Sequence, residues 1–173
     1  MKKYVKPGGL LRYGLPDFKL ANWVIDRRIK LMIQEGVIFS CDTEEGFNIK
    51  AENILRNFDA VVISTGATQP RSLQIKGEAL KGVHFAMEFL GQQNQVINGE
   101  IDENPICATG KNVIVIGGGD TGSDCISTSN RHGAASITQL ELLPKPPQQR
   151  NTLNPWTQWP LTRRPPSTHA EAR

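Results

Sequence analysis

Apolar residues recur along this chain in two rhythms. Ile25, Ile29, Met32 and Ile33 fall at the spacing of one helix face, with Asp17 placed to cap the start and Gly36 to end it, which predicts an amphipathic helix. Val37, Ile38 and Phe39 predict a short strand. Asn48 to Phe58 is mixed and leads into Ala60-Val61-Val62-Ile63, which is apolar on both faces. Such a run suits an inner strand of a parallel sheet covered on both sides. It ends at Ser64-Thr65-Gly66-Ala67, where small side chains admit a close neighbour. A second helix is expected from Gly82 to Leu90, with Phe85, Phe89 and Leu90 inward. Gln92 to Gly110 is polar and reads as an exposed connection between lobes. Beyond Lys111 come an apolar run (Val113 to Ile116), a glycine turn, a helix over Thr121 to Arg131, Gly133 and a strand from Ser136 to Leu143. That is the front of a βαβ unit.

Composition narrows the class. The 173 residues are 38% apolar, enough for the core of one ordinary domain or two small ones. The net charge is only +3, with Lys and Arg scattered among acids, which argues against a surface that tracks nucleic-acid phosphates. Cys41, Cys107 and Cys125 are far apart, with no Cys-x-x-Cys pair to hold a metal. A reducing, cytoplasmic location is expected, with no spanning helix and no signal-peptide pattern at the start.

The turn carries the candidate chemistry. Gly117, Gly119 and Gly122 satisfy Gly-x-Gly-x-x-Gly between a strand and a helix start, where a dinucleotide fingerprint belongs. Gly117 permits the tight turn, Gly119 clears the pyrophosphate's approach, and Gly122 lets helix and strand pack closely. The helix's unpaired N–H groups would face the phosphates. Glu141 follows at the end of the second strand, placed to bond a ribose 2′-hydroxyl and repel a 2′-phosphate, which favours NADH over NADPH. The alternative is a plain strand-to-helix turn with a surface glutamate. Asp120 sets a negative charge near the expected pyrophosphate, and capping the helix is a second role open to it.

Acid–base machinery is not visible. The tyrosines Tyr4 and Tyr13 lack the lysine four residues on that a short-chain dehydrogenase uses, no Gly-x-Ser-x-Gly elbow occurs, and His84, His132 and His169 have no recognisable partners. Hydride transfer between bound rings asks for placement more than proton chemistry, so a flavin reductase is consistent with this lack.

Three longer stretches carry a resemblance. Gly8-Gly9-Leu10-Leu11-Arg12-Tyr13-Gly14-Leu15-Pro16, Asp59 to Ala67 and Gly117 to Cys125 together resemble the flavin and nicotinamide module of glutamate synthase. Gln139 to Pro147 and Asn154-Pro155-Trp156-Thr157-Gln158-Trp159-Pro160 narrow it to the small-subunit type, or the equivalent region of the single-chain eukaryotic enzyme.

The resemblance implies an α/β fold, a partial two-dinucleotide-binding, Rossmann-like flavin reductase module with parallel sheets. Residues 1–91 would be a partial FAD-binding domain, 92–110 a connection, 111–160 a partial NAD(P)H-binding domain and 161–173 a disordered tail. NADH or NADPH would pass hydride to FAD, and electrons would continue through iron–sulfur centres to FMN in the large glutaminase/synthase subunit or region. There glutamine and 2-oxoglutarate give glutamate. Gly117, Gly118, Gly119, Thr121 and Gly122 match the segment that takes the nicotinamide cofactor's pyrophosphate, and Glu141 its adenosine ribose. Thr65, Gly66 and Ala67 match the second flavin motif, and Gly8, Gly9 and Leu10 a segment that approaches the flavin. An ordinary strand exit and a plain loop are the alternatives for the last two sets. The family's first glycine turn, with its acid for the FAD ribose, and its N-terminal cluster cysteines have no counterpart before Gly8, and the likeness is expected to stop near Pro160. The expectation is a fragment altered at both ends, with a shifted frame after Pro160 as one account of the tail, and inactive alone. A related reductase with another acceptor, like dihydropyrimidine dehydrogenase, or a non-catalytic nucleotide-binding remnant are the other readings.

Overall fold

Four helices, then a strand, a helix and a strand, follow one another in the computed structural model, which describes residues 4–44, 46, 48–67, 69–158 and 162–163. The chain divides into two compact units, residues 1–102 and 103–173. The boundary falls inside the polar segment 92–110.

In the first unit, α1 (Leu10–Tyr13) packs against α2 (Asn22–Gln34) and α4 (Ala86–Ile97), while α3 (Ala51–Asn57) buries no residue. The expected capping by Asp17 is present: its carboxylate accepts the Asn22 N–H at 2.8 Å. Of the inward face of α2, Ile25 is buried, Ile29 and Met32 are half-buried and Ile33 is exposed. The helix expected from Gly82 starts at Ala86, where Glu88 reaches back to accept the Phe85 N–H, and it runs on to Ile97. Polarity hid that extension. Asn94 is 1% exposed, and its side-chain amide donates to the Leu15 carbonyl at 3.0 Å, so the residue that reads as solvent-facing is a buried tie.

Tyr13 and Arg12 form the centre of this unit. The Tyr13 ring stacks on Tyr4 with centroids 4.0 Å apart, its hydroxyl donates to Glu100 at 2.8 Å and accepts the Lys6 N–H. Arg12 donates through Nε to the Pro7 carbonyl and pairs with Asp26 on α2. Burial and the Glu100 carboxylate beside the hydroxyl push the Tyr13 pKa up to about 12. An unfolded tyrosine ionises at about 10, so the folded state holds the proton more tightly. That contribution is complete below pH 10 and is lost as pH rises toward 12. Urea midpoints measured across this range should fall more steeply for the native chain than for Tyr13→Phe; parallel curves would exclude the linkage.

Two expected strands are absent. Val37 to Phe39 and Ala60 to Ile63 carry no regular structure, and Val62 and Ile63 are 87% and 84% exposed. Apolar β-formers still need a ladder partner for their N–H and C=O groups, and among the described residues none pairs with either run.

The second unit holds the βαβ pattern. Strands β1 (Asn112–Ile116) and β2 (Ser136–Leu140) pair in parallel, Asn112 opposite Ser136 and Ile116 opposite Leu140, with α5 (Gly119–Arg131) packed on both. The sheet thus confirms an α/β fold, although β2 stops three residues before the expected Leu143. Val113, Val115, Ile137 and Gln139 are half-buried, whereas Ile114, Ile116 and Leu140 stand exposed. Gly122 to Ser129 of α5 are buried, with Cys125 and Ile126 among them. From Leu161 on, only Thr162 and Arg163 are described, so the expected tail, like the Trp159-Pro160 end of the aromatic run, lies outside the described residues.

Candidate functional site

The glycine turn joins β1 directly to α5. Gly117 and Gly119 have φ of 112° and 76°, values that a side chain disfavours, and a Cβ on either would meet nothing within 4 Å. The space beside both glycines is therefore open. Gly122 differs: a Cβ there would stand 2.7 Å from the Gly117 carbonyl oxygen, so this glycine is what brings helix and turn together. The Gly117 N–H donates to the Leu140 carbonyl at 2.9 Å, which welds the turn to the end of β2.

At the helix start no side chain caps the N–H groups. Asp120, expected as a possible cap, lies inside the first turn and is exposed, as is Thr121. The uncapped N–H groups and the positive end of the helix are free to receive an anion, and Asp120 offsets part of that attraction.

Glu141 meets the turn from the other side. Its Oε1 accepts the Leu142 N–H at 2.9 Å, and its carboxyl carbon lies 2.7 Å from where a Gly118 Cβ would be. The acid and the glycines, 19 residues apart in sequence from Gly122, are thus brought together. Gln139 is the member that sequence reasoning missed. It donates through Nε2 to the Gly117 carbonyl at 3.0 Å, fixing the peptide between Gly117 and Gly118. Its place in β2, two residues before Glu141, is the signal that marks it.

Elsewhere the expected sets are less complete. Gly8 and Gly9 offer their carbonyls to the N–H groups of Leu11, Arg12 and Tyr13, so they start α1 instead of lying in a plain loop, and Leu10 is 54% exposed. Thr65, Gly66 and Ala67 follow the unpaired run and are exposed. They follow no strand among the described residues.

No acid–base set emerges either. Burial of Cys125, with Asp124 adding to it, pushes its thiol up to about 12, which keeps it a protonated core residue. His132 accepts the Ala108 N–H on Nδ1 at 3.4 Å, and burial holds its pKa below the usual value. No cluster of potential metal ligands occurs among the described residues, and none of the described helices is long and apolar enough to cross a membrane.

The sequence pattern of pyridine nucleotide-disulphide oxidoreductases matches residues 22–158. The chain belongs to that family. The glutamate synthase [NADH] of Schizosaccharomyces pombe is 49% identical over 172 residues, covering 97% of this chain and 8% of that enzyme. The glutamate synthase [NADPH] small chain of Mycobacterium tuberculosis is 47% identical over 169 residues, 95% of this chain and 35% of that protein. The putative oxidoreductase AegA of Escherichia coli is 36% identical over 134 residues, 76% of this chain and 20% of that protein. The chain therefore spans about a third of the small chain's length and far less of the fungal enzyme. A match over 97% of the chain leaves too few residues for the likeness to end at Pro160, which corrects that expectation and removes the ground for a shifted frame.

Proposed function

We propose that the chain is the electron-input part of a glutamate synthase, with unit 103–173 as its nicotinamide-dinucleotide site and NADH as the preferred nucleotide. The observation that carries the reading is the meeting of an open glycine turn, an uncapped helix start and the Glu141 carboxylate within one βαβ unit. When bound, NADH supplies the hydride and a flavin accepts it. The chain's residues then have separate tasks. The N–H groups at the start of α5 hold the pyrophosphate, Gly117 and Gly119 keep side chains out of its way, and Glu141 accepts from the adenosine ribose. Names of the relatives divide between NADH and NADPH, so the choice rests on the charge of Glu141.

The segments 8–10 and 65–67 belong to the flavin side of the same reading. The iron–sulfur centres and FMN lie with the partner, a large glutaminase/synthase subunit or region. Cys41, Cys107 and Cys125 are all free thiols, in keeping with a cytoplasmic enzyme. AegA-like similarity supports a second reading, the same module feeding another acceptor, but identity of 49% and 47% against 36% favours glutamate synthase.

Calorimetric titration of the purified chain with NADH and then NADPH, after a visible spectrum, tests the proposal. Tighter binding of NADH and no flavin colour are expected. Failure to bind either nucleotide would leave the turn a structural relic.

A further inference from the structure

Gly118 has φ of −101°, an extended value open to any residue, so the backbone does not require a glycine there. Its missing side chain has another cause. A Cβ at this position would overlap Glu141 Oε2 and stand 2.7 Å from Cδ and 3.5 Å from Oε1; within 4 Å these three atoms are the nearest it would meet. The carboxylate of Glu141 thus occupies the place of the absent side chain. Its other fixed point is the Leu142 N–H on Oε1.

We infer that Gly118 is a specificity-determining residue, which seats the Glu141 carboxylate against the turn and through it decides between a free and a phosphorylated ribose 2′-hydroxyl. This rests on the nucleotide-binding reading above and gives Gly118 a role other than contact with the pyrophosphate. The open turn over Gly117 and Gly119 serves the diphosphate common to both nucleotides, whereas the seat at Gly118 serves the acid that tells them apart. The nearest atoms to a methyl group at 118 belong to the far end of a flexible side chain, so the carboxylate tip swings away while the backbone stays. Displaced, it loses the 2′-hydroxyl and no longer repels a 2′-phosphate.

The test is a cycle of four proteins: the native chain, Gly118→Ala, Glu141→Ala and the double variant, each titrated with NADH and NADPH and followed by circular dichroism. The ratio of NADPH to NADH dissociation constants should fall by about tenfold in Gly118→Ala, the worth of one charged hydrogen bond. It should fall similarly in Glu141→Ala and no further in the double variant. A native ratio in Gly118→Ala overturns the inference, as does an equal fall on adding Gly118→Ala to Glu141→Ala. So does a Gly118→Ala chain that fails to fold, because only the side-chain tip is required to move. A native chain that binds neither nucleotide overturns the proposed site as well, and an unchanged ratio in Glu141→Ala removes the acid from both arguments.

Discussion

Replacing Gly122 by valine is expected to lower the stability of unit 103–173 by about 1–3 kcal/mol, the usual cost of overpacking, and to weaken NADH binding by about tenfold or more. The new Cβ would press on the Gly117 carbonyl oxygen at 2.7 Å and on Gln139 Nε2 at 3.3 Å. The first is backbone, so relief must come from moving α5 away from the turn. That motion breaks the Gln139 bond to Gly117 and carries the helix's first N–H groups off the proposed phosphate position. Urea unfolding and calorimetry together read the two effects. Native affinity in a Gly122→Val chain would show that the turn is not the binding element.

In unit 1–102 the corresponding change is Gly8→Ala. Gly8 has φ of 134°, which strains any L side chain, and a Cβ there would lie 2.8 Å from Arg12 Cβ and 3.2 Å from Ile25 Cγ2. Arg12 cannot retreat, being 2% exposed and held to Pro7 and Asp26. Strain and crowding together should cost about 3 kcal/mol. Amide exchange is the measurement, with protection in α1 and α2 falling while β1 and β2 keep theirs. Undiminished protection in α2 would mean that the Arg12 site yields more easily than its burial implies.

The two units differ in how far the sequence foretold them, and the reason is the distance between partners. Val113 to Ile116 finds its ladder partner 24 residues on, through one short helix, so local pattern and turn chemistry suffice to read strand, turn, helix and strand. Ala60 to Ile63 has equal β character and no partner among the described residues, and a strand is a property of a pair. The end of α4 is hidden for the opposite reason, since Asn94 looks like a solvent-facing residue until the Leu15 carbonyl is placed beside it. At the site, Gly117, Gly119, Gly122 and Glu141 were legible because the fingerprint concerns backbone shape and charge. Gln139 was not, because its role depends on which carbonyl its amide meets. Gly118 looked like one more glycine of the turn, and only the position of the Glu141 carboxylate separates its duty from that of its neighbours.

Everything the turn needs, from Asn112 at the start of β1 to Glu141 after β2, is one uninterrupted stretch of chain. During synthesis such a stretch can close on itself as soon as Glu141 leaves the ribosome, without waiting for a distant segment, since loop closure over so few residues is fast.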